Sequence, residues 1–311
     1  MFQPEHVVET PAAQEAAGRF NPGEVIIEHV SNSSLDHPLI HLPKVFGIDL
    51  SVTKHVLMVW IVAALVFFAV TLAVRRYLRQ DRQVPSGFMN ALEFFVVYLR
   101  DNIIEPNVGK KWVNTYAPLL LTFFVFILTA NLIGIIPVFD VLSLINHTLL
   151  HAPEESFFAR VLHGGVTATG NYNVTAALAT LTFLTIIIAG SRAHGFVQHW
   201  KNLVPHGLPK AMVPPMIIIE FVGMLIRPFA LTMRLAANMT GGHIALLAVL
   251  SFVFIFAEQF GQAAGVGVGM VLSLPLGVGL LGLELIVILV QAYVFTLLSA
   301  VFIGMAIHAH H

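Results

Sequence analysis

Residues Met212–Glu258 read MVPPMIIIEFVGMLIRPFALTMRLAANMTGGHIALLAVLSFVFIFAE, an almost unbroken apolar run of about 47 residues. As a single α-helix it would be roughly 70 Å long, against a bilayer hydrocarbon core of about 30 Å. A second run of similar length, Gln262–His308, follows at once. Each run either folds back into two spans or forms one long, steeply tilted helix. Gly241–Gly242 and Pro275 offer places for a break, yet neither is flanked by the polar turn residues that a hairpin needs. The expectation is two long, steeply tilted helices paired as a hairpin, turning near Phe260–Ala264. Glycines at 261, 265, 267, 269, 277, 279 and 282 permit close backbone approach between neighbouring helices.

Composition extends this reading to the whole chain. Of 311 residues, 57% are hydrophobic and 11% charged, where a soluble domain carries about 25% charged residues. Mean hydropathy is +0.83. Lipid must therefore cover much of the surface. A net charge of -1 argues against a nucleic-acid partner, which would call for a basic patch. Without cysteine, disulfides, iron–sulfur clusters and thiol catalysis are excluded. Met1–Phe20 is polar and acidic, unlike a cleavable signal peptide.

Spans are expected at about 56–74, 117–138, 174–190, 212–258 and 262–308, with residues 1–53 as an external N-terminal segment and 54–311 as the membrane domain. Between the first two spans, charges alternate with apolar residues at helical spacing, which predicts an amphipathic interfacial helix over about 88–104. The fold class is thus an all-α membrane protein, with about five transmembrane helices plus one interfacial helix. Arg75, Arg76, Arg79 and Arg82 follow the first span directly, and positive flanks stay cytoplasmic. This puts the N-terminus outside. Loops holding Lys110 and Lys111, and Arg192, Lys201 and Lys210, then fall inside, whereas the acidic 140–172 loop falls outside. Parity puts the C-terminus in the cytoplasm.

Inside the last two spans charge is scarce: beyond Pro228 there are one arginine, no lysine and two glutamates. Arg234 lies in FALTMRLAA, far from either helix end. Placing arginine at a helix centre costs between about 2.5 and 17 kcal/mol, depending on the measure, and its guanidinium cannot shed its proton. It therefore seeks an anion. One solution is internal pairing with Glu284 or Glu258; the other is a functional anion brought from elsewhere. Glu220, Arg227 and Arg234 recur every seven residues, with Asn238 one turn beyond. On the next helix Glu284 and Gln291 repeat the spacing. His243 and Glu284 are titratable, and Asn238 and Gln291 can hold water, so together they have the parts of a proton relay. For Glu220 with Arg227 an interfacial ion pair is an equal reading, and Glu258 reads as an exposed carboxylate near the turn.

The other histidines lie mostly in loops and tails. His147 and His151 are one turn apart but lack a third ligand, and His308, His310 and His311 cluster at the end. Neither a phosphate-binding glycine loop nor a serine nucleophile with a base is present. No metal, cofactor or catalytic constellation is expected.

The stretch Pro228-Phe229-Ala230-Leu231-Thr232-Met233-Arg234-Leu235-Ala236-Ala237-Asn238-Met239 resembles the signature helix of subunit a of F-type ATP synthases. Leu283-Glu284-Leu285-Ile286, leading to Gln291-Ala292-Tyr293-Val294-Phe295, resembles that family's last helix, and Asn131–Pro137 and Asn173-Val174-Thr175 its middle spans. The resemblance implies a non-catalytic, proton-translocating subunit in a bacterial inner (plasma) membrane. Its partners would be a c-subunit ring, the b subunits of the peripheral stalk and other ATP synthase subunits. Arg234 would then control protonation of the ring carboxylates between two offset half-channels. His243 and Glu284 would match the external half-channel, Asn238 and Gln291 would flank the arginine, and Glu220 would lie in the cytoplasmic half-channel. The alternative is a secondary transporter whose arginine binds an anionic substrate, a class that predicts internal repeats or broken helices.

Overall fold

A computed structural model describes residues 21–23, 26–27, 51–79, 85–135, 167–201, 209 and 212–308. The rest of the N-terminal segment, most of the 140–172 loop with His147 and His151, and His310 and His311 lie outside these residues. Regular structure among the described residues is helical: α1 (Lys54–Leu78), α2 (Phe88–Leu99, continued by Arg100–Ile104 and Glu105–Val108), α3 (Val113–Ile135), α4 (Tyr172–His194), α5 (Phe196–Lys201), α6 (Val213–Phe260) and α7 (Gln262–Ile307). Five of these, α1, α3, α4, α6 and α7, are long and apolar enough to cross a membrane.

The long helices are single helices. Gly241 and Gly242 lie within α6, and the chain reverses at Gly261, whose φ of 91° suits a residue without a side chain. Proline does not break the helices, and ahead of Pro106 and Pro275 the pitch changes locally. Its ring has no N–H and collides with the carbonyl four residues back. Ahead of Pro106, Arg100–Ile104 winds as a π turn and the Glu105 N–H reaches back five residues to the Arg100 carbonyl. The same device precedes Pro275, where the Leu274 N–H reaches the Gly269 carbonyl. Side chains also cap carbonyls around the prolines. The Asn107 amide donates to Ile103 O at 2.6 Å, and the Thr232 hydroxyl to Pro228 O at 2.9 Å.

The chain forms two compact units. The larger contains α1–α5, the first part of α6 and the last part of α7. Its core joins Leu99, Ile103 and Ile104 of α2, Leu120, Phe123 and Ile127 of α3, Ala179 and Ile186 of α4, Leu231 and Leu235 of α6, and Ala292, Phe295 and Ile303 of α7. Phe123 meets Phe295 edge to face with centroids 5.6 Å apart. α2 is therefore more than a surface helix, because Leu99, Ile103, Ile104 and Val108 enter the core while Phe88, Phe94 and Tyr98 stay exposed. Two polar ties cross between helices: Thr182 and Ser299 hydroxyls are 3.2 Å apart, and His194 Nε2 is 2.9 Å from Ile307 O. Near Gly304 α7 runs so close to the Asn107 carbonyl that a Cβ there would overlap it.

In the smaller unit, residues 242–260 of α6 pack on residues 262–282 of α7. A Cβ at Gly265 would come within 2.8 Å of Val253 O and 2.9 Å of Ala257 Cα, so glycine is required for this approach. The antiparallel pairing expected from the glycines is present here.

Candidate functional site

α6 has two faces in the larger unit. Leu231, Leu235 and Met239 are buried, whereas Ala230, Met233, Arg234, Ala237, Asn238 and Gly241 are exposed. Arg234 and Asn238 thus stand one turn apart on an outward face, with small residues beside them. Among the described residues Arg234 makes no ion pair, and it makes no hydrogen bond to Gln291. Internal pairing of the arginine with Glu284 is therefore not what the fold adopts.

α7 carries its polar residues the other way. Glu284 (5% exposed), Ile288 and Gln291 (6% exposed) fall on one buried face, in line with the seven-residue spacing. Further along this helix Thr296 and Ser299 are also buried, and the Thr296 hydroxyl is satisfied by Ala292 O at 2.9 Å. His243 is half-buried and belongs to the smaller unit. Glu220 is half-buried in the first part of α6. Its expected partner, Arg227, instead lies over the Phe302 ring, 5.5 Å from its centroid, and forms no ion pair among the described residues.

Asn131, which the sequence placed in a middle span, has a partner that the sequence did not single out. The Thr169 hydroxyl donates a short hydrogen bond to Asn131 Oδ1 of α3, both residues being fully buried. The Thr240 hydroxyl reaches Gly170 O at 3.3 Å. The 3-10 turn Ala168–Gly170 at the head of α4 thereby ties α3 to α6 one half-turn beyond Asn238. The signal available beforehand was threonine in otherwise apolar helices: Thr175 and Thr182 of α4, seven apart, are both buried. In α5, just beyond the end of α4, burial lowers the pKa of His199, with the neighbouring His194 adding to the effect. Among the described residues no three His, Asp or Glu side chains are grouped to hold a metal ion.

These features define a polytopic helical membrane protein in which the mid-span Arg234 faces away from the core of its unit. A sequence model of the ATP synthase A chain family matches residues 56–304. The ATP synthase subunit a of Pelodictyon phaeoclathratiforme is 36% identical over 306 residues, which cover 96% of this chain and 80% of that protein. The ATP synthase subunit a of Chlorobium phaeobacteroides is 36% identical over 98% of this chain and 82% of its own length. That of Chloroherpeton thalassium is 38% identical over 88% and 72%. The chain belongs to the ATP synthase A chain family, and so is a multi-pass membrane component of the machinery for proton transport and ATP synthesis.

Proposed function

We propose that this chain is the stationary side of the proton path, with Arg234 acting on carboxylates presented in turn by a ring of c subunits. The observation that carries this reading is the outward-facing, internally unpaired Arg234 on a face lined by Ala230, Ala237 and Gly241. Small side chains let another helix come close, and a mid-span guanidinium without an anion among the described residues calls for one from outside.

The chemistry follows from charge. A neutral carboxyl can enter lipid, whereas an ionised one cannot without a partner. A carboxylate about 4 Å from a guanidinium gains about 4 kcal/mol at an effective dielectric of 20, equal to about 3 pKa units. Arg234 would thus strip the proton from each arriving carboxyl and stop protons from passing straight across. Asn238, one turn away, would hold water beside it. Glu284 and Gln291 on α7, with His243, would serve the external half-channel, and Glu220 the cytoplasmic one. Arginines 75, 76 and 79 at the end of α1 support an external N-terminus, and the b subunits would hold the chain against rotation. The chain itself performs no bond-making chemistry. An uninterrupted α6 counts against the transporter reading, whose substrate sites are built from broken helices.

The test is Arg234→Ala in the assembled synthase in vesicles. Proton-driven ATP synthesis should vanish, while passive proton leak through the membrane sector appears or persists. Coupled synthesis at the parent rate would overturn the assignment.

A further inference from the structure

Helices α1, α2 and α3 enclose a cleft of about 590 Å³, walled by apolar side chains such as Val66, Val70, Val96 and Val125. It adjoins a second cavity of about 540 Å³, at the end of α1, that contains Arg76 and Ser86. Tyr77 and Met89 line both. One carboxylate, Glu93, lines the larger cleft one helical turn beyond Met89. Its Oε2 is buried with no hydrogen-bond partner among the described residues. Neither Arg76 nor Glu93 forms an ion pair among those residues.

We propose that this cleft seats one aminophospholipid of the bilayer, of the phosphatidylethanolamine type. Arg76 takes its phosphate, Glu93 its ammonium group, and the apolar cleft an acyl chain. Three observations converge. Among the described residues the two adjoining cavities carry one cation, Arg76, and one anion, Glu93, on either side of the shared Tyr77 and Met89, a pairing of charges complementary to a zwitterionic headgroup. From Arg76 back to Ala63, the far end of the cleft, α1 rises about 20 Å, roughly the depth of one leaflet plus its interface. The charged end coincides with the end of the spanning helix, where a headgroup sits. A purely anionic lipid would leave the buried Glu93 oxygen facing like charge. A transmembrane helix from another subunit gains little from apolar walls inside lipid. It would also find the Thr122 hydroxyl already engaged by Pro118 O at 2.7 Å. The inference is independent of the role given to Arg234.

The experiment purifies the whole synthase after equilibration with equal amounts of phosphatidylethanolamine, phosphatidylglycerol and phosphatidylcholine, then counts retained lipids by mass spectrometry. The expected result is preferential retention of phosphatidylethanolamine. Glu93→Gln should weaken that preference about tenfold, the effect of losing one charge-assisted hydrogen bond. Arg76→Gln should weaken all three lipids together. Val70→Trp, which fills the cleft without altering a charge, should expel the lipid and guards against misfolding of the charge variants. Preferential retention of phosphatidylglycerol, or a preference unchanged in Glu93→Gln and Val70→Trp, overturns the proposal. So does cross-linking of Val96→Cys to another subunit, a clean probe because the chain has no cysteine of its own.

Discussion

Replacing Arg234 by alanine should separate folding from coupling, and the sign of the stability change is the informative quantity. Arg234 is exposed on α6 and has no ion pair among the described residues. An arginine at the centre of a spanning helix carries an insertion penalty of at least about 2.5 kcal/mol. In the lipid-embedded subunit without a ring, the alanine variant is therefore expected to be as stable as its parent, or up to about 2.5 kcal/mol more stable. An arginine held by an internal carboxylate behaves oppositely, because truncation strands a buried charge at a cost of about 3–5 kcal/mol. Denaturant titration of parent and variant in bicelles distinguishes the two. The complementary measurement is ATP synthesis by the complete enzyme, which should be lost although the subunit folds. A variant several kcal/mol less stable than its parent, yet still coupled, would refute the reasoning.

Gly304→Ala should destabilise by about 1–3 kcal/mol, because a Cβ there overlaps the Asn107 carbonyl and α7 must move away. Faster tryptic cleavage at the adjoining Lys110–Lys111 turn would report it. Thr182→Val should remove the tie to Ser299 and lower unfolding free energy by about 0.6 kcal/mol, at most about 1.7; a cycle with Ser299→Ala should show the two losses to be non-additive. Burial depresses the pKa of His199 in the folded state below the unfolded value of about 6.5. The unfolded chain then binds the extra proton first, so this contribution is complete above that pH and is lost as pH falls toward the folded value. Melting temperatures at pH 7.5 and 5.5 should differ less in His199→Gln than in the parent.

The sequence made the number of long helices readable because apolar length has a simple relation to bilayer thickness. Helix ends were less legible. α3 starts at Val113 and α4 continues through Ser191, Arg192 and His194 to Gly195, since polar residues continue a helix beyond the apolar part that hydropathy detects. Arg234 was conspicuous as an isolated charge, but periodicity does not say which face meets the core. That is decided by Leu231 and Leu235, which enter it, and by α7 beyond. Spacing suggested Glu220 for Arg227, whereas the guanidinium found the face of Phe302, 75 residues later in the chain. The Asn131–Thr169 bond was hidden for the same reason: its partners are 38 residues apart and share no local pattern.

The π turn ahead of Pro106 has a consequence for α2 as a rotary index. An α-helix advances about 100° per residue, so an uninterrupted one would bring Glu93 and Ile104, eleven residues apart, within about 20° of each other. Their surroundings differ: Glu93 lines the cleft between α1 and α3, whereas Ile104 is wholly enclosed in the core. The extra residue taken up by Arg100–Ile104 offsets the phase by about one residue's angle. Pro106 therefore dials one helix to serve two unlike environments, and deleting a single residue from that turn would rotate one end against the other.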